Sequence, residues 1–334
     1  MPKPFVLVIT SQPDTHINAV SRLLTERAVD LVRLNTEDLF TNARLDICPR
    51  TGTGRIDIVD SGRSVDIDEV SAVWYRKPET PSIDHLTVDG DGARRFFEAE
   101  AYENLLSLYA VLQDRPWINN PLTTRLAFRR FHQLKVANRV GLRTVRSIFS
   151  NDTDAVFRFA DQIDGALALK SLSALSVSTS TDGTVTQQYG VLTRPVDRGQ
   201  LEQLRANVGV MPTFLQEYID KSADLRVVCV GERVFACRID SQADELTRHD
   251  FRIGTKSLDH QLITLPESLI NRMHTFMDNL GIDFGCFDFL EVESGEPYFL
   301  ECNPNGQWLW LQERTGAPIS TALADHLARL ATGR

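Results

Sequence analysis

The chain has 334 residues, with 36 Lys+Arg against 45 Asp+Glu and a formal net charge of −9. So acidic a surface excludes a polyanion such as nucleic acid or an anionic membrane as the main partner, while leaving room for a local basic pocket. The length favours two or three domains over one. No apolar run approaches the roughly 18 residues that a membrane span needs.

Residues 5–9, Phe-Val-Leu-Val-Ile, are too short an apolar run for a secretory signal and suit a buried strand. Five scattered cysteines without a Cys-x-x-Cys pair read as reduced thiols in a cytoplasm. A helical pattern over 16–28 and a strand over 29–34 complete a βαβ unit. No glycine-rich fingerprint follows the first strand, so a dinucleotide site of that type is not expected. A hairpin over 55–59 and 65–67 is followed by a strand, 70–78, that stops at Pro78. Its end, Arg76-Lys77, is expected to be an exposed basic pair, either solvated or in contact with a peptide. A helix over 92–113 places Phe97, Ala101, Leu105, Leu108 and Leu112 on one stripe. Trp-Ile-Asn-Asn-Pro at 117–121 closes this first region.

A helix over 123–141, ended by Gly141, opens a second α+β segment: strand 143–149, helix 152–163, strand 166–170, polar loop 171–184, strand 185–193 and helix 199–207. From 213 the chain is strand-rich. A helix over 266–280 leads to a last hairpin, 284–303, and a helix over 318–331 ends the chain. The expected division is 1–120, 121–212 and 213–334.

The last hairpin carries the sharpest signal. Its two alternating runs flank Ser294-Gly295, so paired residues sum to 589 and Asp288 faces Glu301. Asn303 lies two residues on and shares that face. Carboxylates directly opposite repel unless something positive lies between them, and apolar neighbours raise the cost of leaving them bare. A hard divalent cation held by Asp288, Glu301 and Asn303 resolves the conflict, as Mg²⁺ does with one or two carboxylates and substrate phosphates. The alternative is a protonated carboxylate or an arginine partner. The same stretch ends in Trp308-Leu309-Trp310, read as packing behind the metal strand, with a wall for a bound ligand as the second reading.

Weaker signals lie upstream. Lys170 ends an apolar strand, where a buried lysine calls for an anion, although alone it reads as a surface lysine, and the Ser/Thr-rich loop 171–184 can close over phosphates. Free backbone groups of Glu217, Tyr218 and Ile219 can pair with an adenine edge, and Asp224 suits ribose hydroxyls. Arg226 and Arg238 suit a phosphate or carboxylate. They share a face if the turn at Gly231 has three residues and lie on opposite faces if it has two. His249, between Arg248 and Arg252, reads as part of a polar surface loop.

Together, Lys170, Glu217 with Asp224, and Asp288…Glu301-x-Asn303 resemble the ATP-grasp superfamily. That resemblance implies an α/β (α+β) fold with a βαβ N-terminal domain and two α+β lobes gripping ATP, with ATP and Mg²⁺ as cofactors. A narrower resemblance is to the microviridin-type ligases, or graspetide synthetases. It is carried by Val-Trp-Tyr-Arg-Lys-Pro at 73–78 and by residues 133–142, 216–239, 284–292 and 299–316, the last beginning Phe-Leu-Glu-Cys-Asn-Pro-Asn-Gly-Gln-Trp-Leu-Trp. It implies a cytoplasmic, homodimeric enzyme that activates Glu or Asp side chains of a ribosomal precursor peptide, with leader and core. The activated groups are joined to Ser/Thr hydroxyls or Lys amines. Many relatives place a phosphate-contacting lysine where this chain has Arg130, which keeps the charge and changes the geometry. Arg226 and Arg238 are then expected to hold the acyl phosphate, or the substrate carboxylate, in line with the γ-phosphate. Rival readings are a ligase that adds a free amino acid, and a nucleotide-binding module without ligation.

Overall fold

The structure is a computed structural model that describes residues 3–172, 176–181, 184–190, 193–253 and 257–333. Near the N-terminus, a parallel four-stranded sheet has the spatial order Asp30–Asn35, Phe5–Thr10, Ala72–Tyr75, Trp117–Ile118. All six residues of Phe5–Thr10 are buried, as a central parallel strand requires. The expected hairpin is a three-stranded meander, with Ala43–Ile47 as its unforeseen first strand.

A second antiparallel sheet has the order Arg194–Val196, Leu167–Lys170, Thr213–Glu217, Ser147–Ser150. Beyond it, Ser176–Thr181 pairs with Thr184–Gly190. The expected polar loop therefore holds a strand, built from a run of Ser and Thr with one Val. Residues 173–175 and 182–183, the rest of that loop, lie outside the described residues.

The third sheet is antiparallel, ordered His260–Ile263, Arg233–Ile239, Ala223–Val230, Phe284–Glu291, Tyr298–Asn303. The helix Glu267–Leu280 covers one face through Leu269, Met273, Phe276 and Met277. On the other side, Val228, Val230 and Cys286 share one core with Val6, Val8 and Trp74 of the first sheet and with Leu323 and Leu327 of the last helix, Ile319–Thr332. The first and third sheets are thus joined by a continuous apolar core, while the second keeps its own around Val156, Phe157 and Leu215.

Several helices depart from expectation, and the helix expected over 199–207 is two, Arg198–Gln203 and Arg205–Val208. The helix expected over 123–141 is two, Pro121–Ala127 and Arg130–Arg139, broken at Phe128-Arg129. Asn120 caps the first, its side chain accepting from the Leu122 N–H at 2.9 Å. A further helix, Leu309–Thr315, starts directly after Trp308. In the long helix Asp91–Val111, Ala101, Leu105 and Leu108 are buried as expected, but Phe97 is 41% exposed. The first ten residues of that helix, 91–100, include no buried residue.

Candidate active site

The site starts from the hairpin Phe284–Glu291 and Tyr298–Asn303. Asp288 pairs with Glu301 and Cys286 with Asn303, as the alternation predicts. A bulge follows, so that Phe289 pairs with Phe299 and Leu300 is the extra residue. The bulge leaves the carboxylates facing each other while turning Phe299 into the core, where it is 0% exposed. Two amides hold the hairpin from outside. Asn119 donates to the Phe284 and Pro304 carbonyls at 2.8 Å and accepts from the Asp283 N–H at 2.8 Å. Gln133 donates to the Cys302 carbonyl at 2.6 Å and accepts from the Cys302 N–H at 2.9 Å. Sequence reasoning took Asn119 only as a chain break and missed Gln133; a polar residue wedged among buried helix positions was the available signal.

Each carboxylate of the facing pair meets an arginine. Arg226, opposite Asp288 on the neighbouring strand, donates from Nη1 to Asp288 Oδ1 and Oδ2 at 2.9 and 3.0 Å and from Nη2 to the Gln307 carbonyl at 3.0 Å. Arg130, at the start of its helix, pairs with Glu301. Burial pushes the Asp288 carboxyl up; Arg226 opposes that, and facing Glu301 adds to it. The arginine alternative to a bare carboxylate pair is therefore present on both sides, and an ionised Asp288 fits the two-pronged contact.

Gly306 makes this packing possible. A Cβ there would lie 2.4 Å from Cys286 Cβ and 3.0 Å from Arg226 Nη2. The loop around it is held by Arg76, which is 2% exposed and donates to the Asn305 and Gly306 carbonyls at 2.6 and 3.1 Å. The expectation of an exposed Arg76 is corrected: the guanidinium is drawn inward by Asp14, 3.3 Å away, and by those carbonyls. His16 donates from Nδ1 to Asp14 at 2.9 Å and accepts at Nε2 from the Trp308 and Leu309 N–H groups, each at 3.4 Å. Trp308 is 0% exposed with its ring edge-on to His16, so it packs behind the strand and walls no ligand. Trp310 is half-buried against His260.

A cleft of about 520 Å³ opens between the second and third sheets. Arg130, Lys170, Glu217, Tyr218, Ile219, Asp224, Asp288, Glu301 and Asn303 all line it. Residues from Arg130 to Asn303, distant in sequence, thus meet at one cavity. Lys170 donates to Thr193 Oγ1 at 2.9 Å. Burial, then the neighbouring Arg130, lowers its pKa to about 8. Asp224 accepts from Lys221 at 2.5 Å, and burial pushes its carboxyl up.

Two expectations shift. Glu217 N–H donates to the Arg146 carbonyl at 2.9 Å and Tyr218 N–H to the Ala166 carbonyl at 3.0 Å, so the sheet has taken two of the backbone groups expected to be free. Arg238 does not reach the cleft. The turn at Gly231-Glu232 has two residues, which pairs Arg226 with Cys237 and Arg238 with Leu225 on the opposite face. There Arg238 donates to Glu291 at 2.6 Å.

Sequence reasoning missed the segment at the cleft mouth. His249, Asp250, Phe251 and Arg252 line the cavity. Tyr218 Oη and His249 Nδ1 lie 2.6 Å apart, and Arg252 donates to both oxygens of Asp250 at 2.7 and 2.6 Å. Among the described residues, no three of His, Cys, Asp and Glu gather as a metal set. The hairpin trio differs by taking an amide, Asn303, as its third oxygen donor, and such hard oxygens fit Mg²⁺.

Comparison with known proteins agrees with this geometry. Residues 5–125 match the MvdD pre-ATP grasp domain. Nearly all of the chain superposes on a Chryseobacterium gregarium RiPP-associated ATP-grasp ligase, solved with ADP and a leader and core peptide. That match has a TM-score of 0.87 and 23% identity, covering 97% of this chain and 96% of the other. It superposes on the macrocyclase MdnC of Microcystis aeruginosa MRC, solved with the precursor peptide MdnA, at a TM-score of 0.82 and 26% identity, covering 97% and 99%. The macrocyclase MdnB of the same organism follows at 0.76 and 28%, covering 98% and 99%. No curated protein sequence matches. The fold is therefore that of an ATP-grasp ligase, an ATP-dependent enzyme class. Within it, the chain carries the pre-ATP-grasp domain of the MvdD type and the architecture of the graspetide maturases. No helix among the described residues is long and apolar enough to cross a membrane.

Proposed function

We propose that this chain is an ATP-dependent peptide macrocyclase. It activates Glu or Asp side chains of a ribosomal precursor peptide and joins them to Ser/Thr hydroxyls or Lys amines. One observation carries the reading: the cleft unites Lys170, Arg130, Asp224, Asp288, Glu301 and Asn303 in a fold 26% identical to a macrocyclase solved with its precursor peptide.

Asp288, Glu301 and Asn303 would hold Mg²⁺, which supplies neutralising charge to the nucleotide phosphates. Lys170 and Arg130 are cations at the same wall and stabilise charge on those phosphates. The remaining backbone groups of 217–219 would meet the adenine edge, and Asp224 would take the ribose hydroxyls. The peptide carboxylate attacks the γ-phosphorus of ATP, ADP leaves, and an acyl phosphate results. A hydroxyl or amine then attacks the acyl carbon, loses its proton, and expels phosphate, so one water is lost per link. Most of the rate comes from positioning and charge stabilisation. Arg226, with Nη1 engaged by Asp288 and Nη2 by the Gln307 carbonyl, positions the metal carboxylate, and Arg238 stands outside the cleft.

The proposed division at 120 and 212 separates a pre-ATP-grasp domain from two gripping lobes. A reducing cytoplasm agrees with five cysteines that are all free, four of them buried. Pairing of two copies agrees with Phe96 and Phe97, 59% and 41% exposed on the unburied half of their helix.

The test is to mix the purified protein with Mg-ATP and its precursor peptide and follow mass and ADP. Loss of one water per link with matching ADP supports macrocyclisation. Gain of an amino-acid residue mass, or no ADP with any peptide, overturns it.

A further inference from the structure

Beside the cleft lies a second cavity of about 550 Å³, with a mostly apolar and aromatic wall. Tyr75, Tyr102, Tyr109 and Leu105 line it, and Phe128 is common to both cavities. Two of its lining hydroxyls, Tyr109 Oη and Thr124 Oγ1, are buried without a hydrogen-bond partner. Tyr109 is 8% exposed and Thr124 only 1%. A buried hydroxyl without a partner destabilises the fold, so two on one cavity are a cost that a ligand with polar atoms removes. At the rim, Arg125 and Arg129 are exposed, and neither makes an ion pair among the described residues; Glu79 is the one carboxylate lining the cavity.

We propose that this cavity is a side-chain subsite for the peptide on which the neighbouring cleft acts. It takes a bulky aromatic or branched apolar residue adjacent to an acidic one. Tyr109 and Thr124 hydrogen-bond the peptide's polar atoms, and Arg125 and Arg129 face its carboxylate. The choice of a peptide as occupant rests on the ligase reading; the cavity and its unpaired hydroxyls do not. The shared Phe128 wall supports that choice, because it sets an apolar anchor one ring away from the cleft that holds Glu301 and Lys170.

The experiment titrates the full chain with N-acetyl-Phe-Glu-amide and N-acetyl-Ala-Glu-amide, read by NMR chemical shifts, and separately with Mg-ADP. Phe-Glu is expected to bind about ten-fold tighter than Ala-Glu, the effect of burying one aromatic ring. Tyr109→Phe and Thr124→Val are near-isosteric and should each weaken Phe-Glu roughly five-fold, the loss of one hydrogen bond, without lowering the melting temperature. Ala110→Trp, which fills the cavity from an exposed helix position, should abolish the Phe preference and leave Mg-ADP binding unchanged. Equal binding of the two dipeptides, or Phe-Glu binding unmoved by all three substitutions, overturns the subsite. If the wild type then still binds Mg-ADP, the ligase reading stands alone. If the Phe preference holds while Mg-ADP does not bind, the cavity stands and the ligase reading fails.

Discussion

Asp288 and Glu301 face each other across the last hairpin, and each is met by an arginine from a different element: Arg226 from the adjacent strand, Arg130 from a helix start. The two pairs are unequal. The Arg226 and Asp288 side chains are 10% and 18% exposed, whereas Arg130 and Glu301 are 24% and 31% exposed. Arg226 also spends its second nitrogen on a backbone carbonyl, while Arg130 lines the cleft.

That inequality predicts different outcomes for two conservative substitutions. Asp288→Asn leaves the buried Arg226 unpaired and should lower stability by about 3 kcal/mol. Glu301→Gln leaves a cation with access to solvent and should cost less than about 1 kcal/mol. Both should abolish ligation and the stabilisation given by Mg-ATP. Thermal melts with and without Mg-ATP separate the two effects. Full ligation in both variants would remove the metal assignment.

The Lys170 ammonium gives a pH signature. In the free protein its pKa is lowered from the ordinary 10.5 to about 8, chiefly by burial. Protonated lysine attracts polyphosphate and neutral lysine does not. ATP affinity should therefore fall as pH rises from 7 to 9, with part of the loss traceable to this group. Lys170→Arg should flatten the profile, because guanidinium stays charged there. For stability the sign is the reverse. The unfolded chain holds the extra proton between about 8 and 10.5, so the penalty is complete below pH 8 and fades as pH rises through that window. Isothermal titration of both proteins at three pH values measures the affinity slopes; parallel slopes would assign the dependence to another group.

Gly306 is placed to test how tightly the metal loop is packed. Gly306→Ala forces its Cβ to 2.4 Å from Cys286 Cβ and 3.0 Å from Arg226 Nη2. Overpacking of this kind costs about 1–3 kcal/mol, and the displaced Arg226 should weaken Mg-ATP binding as well. A denaturant midpoint that moves while Mg-ATP affinity holds would show that the loop gives way without disturbing Asp288.

What the sequence disclosed followed from which interactions are local. The facing of Asp288 and Glu301 was legible because side chains alternate along both strands and a turn lies between them. The bulge at Leu300 was not, since it answers the packing of Phe299 against Phe287 of the same hairpin and Phe276 of the helix that covers it. The cleft residues were legible by chemical type: a lysine ending an apolar strand and acids at strand ends needed partners. The partner of Lys170, Thr193, was set by tertiary approach, whereas Asp224 met a lysine only three residues away, Lys221. The Ser/Thr-rich strand Ser176–Thr181 was missed because polarity hid its extended alternation. Arg76 was misjudged because its burial depends on Asp14 and on carbonyls 229 and 230 residues away. Arg238 turned on one residue of turn length, which composition does not fix.

The buried seam behind the metal loop yields a last prediction. Asp14 and Arg76 are each 2% exposed at the side chain and 3.3 Å apart. Burial raises the Asp14 carboxyl, but His16 and Arg76 outweigh it and hold the pKa at about 2, below the ordinary 3.8. The folded pKa is depressed, so this group stabilises the protein above the unfolded value and loses that contribution as pH falls toward 2. The shift implies about 2 kcal/mol at neutral pH, of which about 1 kcal/mol should disappear between pH 5 and pH 3. Asp14→Asn removes the titration and leaves Arg76 buried without its carboxylate. It should be less stable than the wild type at pH 5, and the gap should narrow by about 1 kcal/mol at pH 3. Because Arg76 holds the Asn305 and Gly306 carbonyls, the same variant should weaken Mg-ATP binding although Asp14 does not line the cleft. Denaturant unfolding of both proteins at the two pH values decides it: a gap that stays constant would mean that Asp14 does not carry the acid sensitivity.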